Sequence, residues 1–211
     1  MNKRSYSIID RALIQFQNGL NSLYTEPCSQ RPNPSVGIKE PLLTANERRL
    51  SSELMRVNHT GEICAQALYY SQMAVTQNKL VEATLAKAAE EETDHLAWTG
   101  ERLKELGTHP SYLNFFWYTQ AYLIGLIAGL SGDGKSLGFV EETERQVSRH
   151  LQKHLKQLPA NDVKSRAIIQ QMRTDEQRHG QNAVLAGATS LPLIIKLIMS
   201  FQAKIMTITA A

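Results

Sequence analysis

Apolar positions recur at intervals of three and four residues through most of the chain, and no stretch of useful length alternates apolar with polar. From Asn46 to His109 there is no proline, and Ala, Leu, Glu and Gln dominate. The spacing predicts two helices there, about 46–76 and 79–106, joined near Gln77-Asn78 and ended at Gly107. A third helix is expected after the glycines of Ser131–Gly138, running to about Leu158, with a turn at Pro159–Asp162. A fourth covers about 161–187, and Pro192 opens a last apolar helix. Ahead of these, residues 5 to 22 have a loose amphipathic pattern built on Ile8, Ile9, Leu13, Ile14, Phe16 and Leu20. Residues 24 to 44 carry four of the seven prolines and read as an extended linker. The pattern is all-α, with residues 1–44 as an N-terminal extension and 45–211 as the main domain.

Composition narrows the class. The 211 residues are 42% hydrophobic and 20% charged, too apolar for disorder and too charged for a multi-span membrane protein. The net charge of +3 mixes both signs, so no nucleic-acid partner is implied. Cys28 and Cys64 are too few for a disulfide scaffold, and the first twenty residues lack a secretory apolar core, so an intracellular, reducing compartment is expected.

Two helices contain Glu-x-x-His, at Glu92–His95 and Glu176–His179. Residues three apart share a helix face. In the second helix that face reads Leu85, Ala88, Glu92, His95, Thr99, Leu103; in the fourth it reads Ile169, Met172, Glu176, His179, Ala183, Ala186. Both pairs therefore lie on the core-facing stripe, where an uncompensated carboxylate is expensive. Carboxylate and imidazole together suit iron or manganese. A four-helix bundle with such a centre needs one inward Glu from each remaining helix. Glu62 interrupts the stripe Met55, Asn58, Ala65, Tyr69, Met73, whereas Glu47 and Glu53 lie nearer the exposed end. Glu144 interrupts Leu137, Val140, Val147, Leu151; Glu141 one turn away is the alternative, and Glu142 points elsewhere.

The spacing repeats: Glu62 precedes Glu92 by 30 residues, and Glu144 precedes Glu176 by 32. A pseudo-twofold centre follows, with Glu62, Glu92 and His95 on one half, Glu144, Glu176 and His179 on the other, and Glu92 and Glu176 bridging. A metal-bound His usually gives its other N–H to an acid. Glu91 and Asp175 occupy equivalent repeat positions, and each is expected to orient the histidine of the opposite half; Asp94 is a weaker choice. His150 and His154 are read as non-ligands, His59 as a residue near the site, solvated or in the core, and Cys64 as a small core residue.

Residues 113 to 130 carry no charge, at the lower edge of spanning length. They must connect the second helix to the third along the bundle, and a crossing would put the half-sites on opposite sides of a membrane. The segment is therefore expected to lie on the bundle with an apolar face exposed. In the last helix Leu191, Ile194, Ile195, Ile198, Phe201, Ile205 and Ile208 face one way, opposite Lys196, Ser200, Lys204 and Thr207, the pattern of an interfacial helix.

Four stretches, Arg56–Glu62 (RVNHTGE), Glu91–His95 (EETDH), Gly138–Glu144 (GFVEETE) and Asp175–His179 (DEQRH), resemble the demethoxyubiquinone hydroxylase family of ferritin-like di-iron monooxygenases. The resemblance spans about 46 to 209. It implies a ferritin-like fold with two iron ions on Glu62, Glu92, His95, Glu144, Glu176 and His179. It also implies O2-dependent hydroxylation of a 2-polyprenyl-3-methyl-6-methoxy-1,4-benzoquinol in ubiquinone biosynthesis. A membrane-dissolved substrate agrees with peripheral attachment to the cytoplasmic face of the cell membrane. The electron donor is not written in the sequence: a quinol, a nicotinamide nucleotide or a separate reductase would serve. A ubiquinone-biosynthesis partner protein that lifts substrate from the bilayer is compatible with the exposed apolar segments. The competing readings are a ferritin-like iron-storage or manganese redox protein, and a non-catalytic lipid-binding bundle.

Overall fold

The computed structural model describes residues 8–211. The elements are α1 (Ile8–Tyr24), α2 (Ala45–Val75), α3 (Lys79–Glu105), α4 (Asn114–Leu130), α5 (Asp133–Gln157), α6 (Val163–Leu185) and α7 (Leu193–Ala210), and no strand occurs among the described residues. Residues 5–7 of the expected first helix lie outside them.

Local chemistry sets the helix ends. Thr44 and Glu47 form a reciprocal capping box at the start of α2, and Asn78 caps α3 through the N–H groups of Leu80 and Val81. Asp162 caps α6 by accepting from Ser165 N–H. After α3, Gly107 at φ 73° lets its own N–H reach Lys104 O and that of Thr108 reach Leu103 O, which satisfies the last carbonyls.

Helices α2, α3, α6 and α5 form the four-helix bundle, in that order around its axis. Side-chain pairs fix the directions. His95 meets Asp175 and Arg102 meets Ser165, so α3 and α6 are antiparallel. Tyr69 meets Glu144, Gln72 meets Ser136 and Asn58 meets His154, so α2 and α5 are antiparallel too. Helix α3 then ends at the opposite end of the bundle from where α5 must start, and α4 spans the gap. It runs parallel to α2, with Asn114 beside Thr60 and Trp117 O beside Cys64. A Cβ on Gly125 would lie 2.1 Å from Ser71 Oγ, so only glycine allows α4 to sit this close. One apolar core packs Leu103, Leu151, Ile168 and Met172; another packs Tyr69, Leu85, Leu137 and Ala183. The Glu–His positions lie between them in sequence along each stripe.

One boundary differs from expectation: α5 starts at Asp133, inside the glycine-rich stretch rather than after it. Gly132, at φ 100°, makes the turn into the helix. Gly138 is helical and bare because the backbone of Thr189 lies on it: a Cβ there would stand 1.9 Å from Thr189 O. Gly138→Ala is expected to destabilise by about 1–3 kcal/mol through overpacking, despite better helix propensity. Urea denaturation checks this.

Helices α4 and α7 both pack against α2 and α5, so they share one side of the bundle. Both turn apolar residues outward. Phe115, Phe116, Leu123 and Ile127 of α4 are exposed, as are Leu193, Ile194, Ile198, Phe201 and Ile208 of α7. The side of α7 that turns inward holds Lys196, Met199, Gln202, Met206 and Ala210. By length and composition α7 is apolar enough to cross a membrane. Yet it lies along the bundle, with Lys196 Nζ 3.5 Å from the buried Glu142 and Lys196 O accepting from Gln146 at 3.3 Å.

Candidate metal centre

At the middle of the bundle α2 contributes Glu62, α3 Glu92 and His95, α5 Glu144, and α6 Glu176 and His179. All six are buried. Their donor atoms fall into two sets, each within 4.8 Å: Glu62, Glu92, His95, Glu176, and Glu92, Glu144, Glu176, His179. Glu92 and Glu176 belong to both.

The two shared carboxylates straddle the centre. Glu92 Oε2 lies 3.0 Å from His95 Nδ1, and its Oε1 lies 3.2 Å from His179 Nδ1. Glu176 Oε1 lies 3.3 Å from His95 Nδ1, and its Oε2 3.3 Å from His179 Nδ1. Glu92 Oε1, both Glu176 oxygens and His179 Nδ1 have no hydrogen-bond partner although fully buried. Four unsatisfied atoms among the two donor sets fit a cation-binding site, since buried polar atoms are otherwise paired.

Both imidazoles turn Nε2 outward to an acid of the opposite hairpin. His95 Nε2 is 3.0 Å from Asp175 Oδ2, and His179 Nε2 is 2.8 Å from Glu91 Oε2. These are the two acids that the repeat singles out. Asp94, the weaker choice, meets no histidine and accepts from Arg31 instead. Glu141 stays outside the cluster, 3.9 Å from Arg145, and Glu142 is buried but pairs with Arg145, Gln146 and Lys196. Glu47 caps α2 and Glu53 pairs with Arg49.

Within the cluster, burial and neighbouring charges push the carboxyl groups in opposite directions. Burial lifts Glu62 and Glu144 well above the usual carboxylate range, and the adjacent charges of Glu92 and Glu176, respectively, add to this. Burial also opposes ionisation of Glu92, but the charge of His95 and the closeness of both imidazoles hold it well below that range. The hydrogen bond from His179 outweighs burial at Glu91, and Arg178 helps to bring it down to about 2. Outside the cluster, burial lowers His59 to about 4; its Nδ1 meets Thr99 Oγ1 at 2.9 Å. His154 meets Asn58 Oδ1 at 2.8 Å, and burial raises the Cys64 thiol to about 12.

Two features escape the sequence pattern. Tyr69 donates to Glu144, where periodicity shows only another core residue. Arg31, in the proline-rich stretch, reaches Asp94 and Asp175. A cavity of about 370 Å³, lined by Tyr69, Leu85, Ala88, Glu91, Val140 and His179 among others, opens beside the cluster.

Fold and centre together define a ferritin-like helical bundle built around a carboxylate–histidine cluster that can hold metal. The pattern of the ubiquinone biosynthesis protein COQ7 family matches residues 49–210, and the chain belongs to that family. It is 56% identical over 209 residues to a 3-demethoxyubiquinol 3-hydroxylase of Coxiella burnetii, covering 99% of this chain and 97% of that protein. Proteins of the same name from Polynucleobacter asymbioticus (49%, covering 97% of this chain and 98% of that one) and Xylella fastidiosa (46%, 100% and 97%) are also similar. Among solved structures, the dodecameric thioferritin of Bacteroides fragilis shares the fold. Its TM-score is 0.53 at 16% identity, over 74% of this chain and 90% of that one.

Proposed function

We propose that this chain hydroxylates the ring of a 2-polyprenyl-3-methyl-6-methoxy-1,4-benzoquinol with O2, using two iron ions held by Glu62, Glu92, His95, Glu144, Glu176 and His179. The observation that carries this reading is the sharing of Glu92 and Glu176 between two four-residue donor sets. The names of the relatives supply the substrate. When bound, the iron pair supplies the reduction of O2 and the transfer of one oxygen atom to the ring.

The chain's own residues do the rest. Glu62 and Glu144 each serve one half, and the buried pair Glu92 and Glu176 spans both. Metal binding displaces the protons that burial holds on Glu62 and Glu144. Asp175 and Glu91 keep the proton of each histidine on Nε2, which leaves Nδ1 as the inward lone pair. Tyr69 holds one oxygen of Glu144, fixing its orientation. The 370 Å³ cavity is within the usual range for small-molecule sites and admits a ring-sized group to the edge of the cluster.

The exposed faces of α4 and α7 fit peripheral binding to the cytoplasmic face of the membrane in which a polyprenyl quinol dissolves. Lys196, tied to Glu142, holds α7 against the bundle with its apolar side outward, as an interfacial helix requires.

Anaerobic loading with Fe(II) is expected to give about two ions per chain. Exposure to ¹⁸O₂ with the reduced quinol should then add one labelled oxygen to the ring. Uptake of iron without labelled product would remove the proposed reaction and leave a metal-binding bundle.

A further inference from the structure

The pseudo-twofold centre is not symmetric in sequence at the residue just before each histidine. Glu176-Gln177-Arg178-His179 carries a cation there; Glu92-Thr93-Asp94-His95 carries an acid. In the half of His179, one carboxylate oxygen, Glu91 Oε2, takes both the imidazole Nε2 at 2.8 Å and the guanidinium of Arg178 at 2.5 Å. In the half of His95 the same arrangement recurs with a guanidinium from elsewhere. Asp175 Oδ2 takes His95 Nε2 at 3.0 Å and Arg31 Nη1 at 2.9 Å. Arg178 also touches Asp175, but on Oδ1, the oxygen that His95 does not use.

Asp94, standing where Arg178 stands in the other half, is what brings Arg31 in. It accepts from Arg31 Nε at 2.5 Å and from Gln30 N–H at 2.7 Å. The guanidinium lies 4.9 Å from the Trp98 ring centre, and Trp98 Nε1 donates to Ser29 Oγ at 3.1 Å. Asp94 and Asp175 are buried, so a paired guanidinium compensates both. Residues 29–31 lie outside the stretch that the family pattern matches, yet Arg31 reaches the acid that orients His95.

We propose that Arg31 is a positioning residue of the centre: it completes the half-site of His95 as Arg178 completes that of His179. The inference rests on the metal-centre reading above. A guanidinium on the oxygen shared with an imidazole fixes the carboxylate plane and weakens its pull on the Nε2 proton, which sets the donor strength of Nδ1. The residues just before the metal-binding domain thereby become part of the site.

Co(II) titration of metal-stripped protein, followed by its visible ligand-field bands, tests this without turnover. Arg31→Gln is expected to weaken one of two ions ten- to hundredfold and to shift its bands, while the other ion binds as in wild type. Asn33→Ala removes the bond from Asn33 Nδ2 to Glu101 (2.6 Å) and so loosens the same segment without touching either acid; its spectrum is expected to be unchanged. Arg31→Lys cannot bridge both acids and should show the same one-sited change, smaller. Wild-type affinity and bands in Arg31→Gln overturn the proposal, as does an equal change in Asn33→Ala. If Arg31→Gln does not fold, wild-type binding by Arg31→Lys overturns it. A wild-type chain that takes up no metal would overturn the metal-centre reading itself.

Discussion

Glu176→Ala is expected to empty both metal positions and reduce turnover below detection. The residue serves both donor sets through separate oxygens, so its loss removes a ligand from each ion. Glu144→Ala, which belongs to one set, should leave the Glu62–His95 half able to bind. Metal analysis after anaerobic loading separates the two. A second readout is thermal. Metal that binds only the folded chain adds about 4 kcal/mol at a thousandfold excess over Kd. Wild type should therefore melt higher with Fe(II), and Glu176→Ala should show no shift. Retention of two tightly bound ions by Glu176→Ala would sink the shared-ligand assignment.

The pair Ile198→Glu and Phe201→Glu should abolish membrane binding while leaving the metal centre intact. Both side chains point away from the bundle, 54% and 67% exposed, so folding gains little from them. Buried in a bilayer interface, each contributes about 1.5–3 kcal/mol. Losing both weakens partition by roughly two orders of magnitude or more, at about 1.4 kcal/mol per decade. Co-sedimentation with vesicles containing anionic lipid measures it. Unchanged sedimentation alongside unchanged metal content would show that this face of α7 meets something other than lipid.

Much of the centre is legible because periodicity and chemistry conflict there. An acid on a stripe of Leu, Ala and Met needs an explanation, and Glu62, Glu92, Glu144 and Glu176 all pose that conflict at matched spacing. The crossed pairing of His95 with Asp175 and His179 with Glu91 is legible from the repeat. Arg31 is not, because it lies 144 residues from Asp175 in an irregular segment where no period constrains side-chain direction. The early start of α5 is hidden for a related reason. Gly138 looks like a helix breaker until the tertiary approach of Thr189 shows why a side chain is excluded. The inner face of α7 is only half legible: the polar stripe opposite the apolar one supplies Lys196, but Ser200 and Lys204 are exposed and Met199 and Met206 turn inward instead.

The division of the cluster between two hairpins bears on how the chain folds. Helices α2 and α3 are neighbours in sequence, as are α5 and α6, so each hairpin forms from local contacts and forms early. Neither can close on the other without pressing four carboxyl groups into a dry interior. Closure must therefore wait for protons or cations to arrive, and whichever is captured becomes part of the last folding step. Without a metal, protons on Glu62 and Glu144 take that place, so the seam between the two hairpins is where the tightness of the fold follows what occupies its centre.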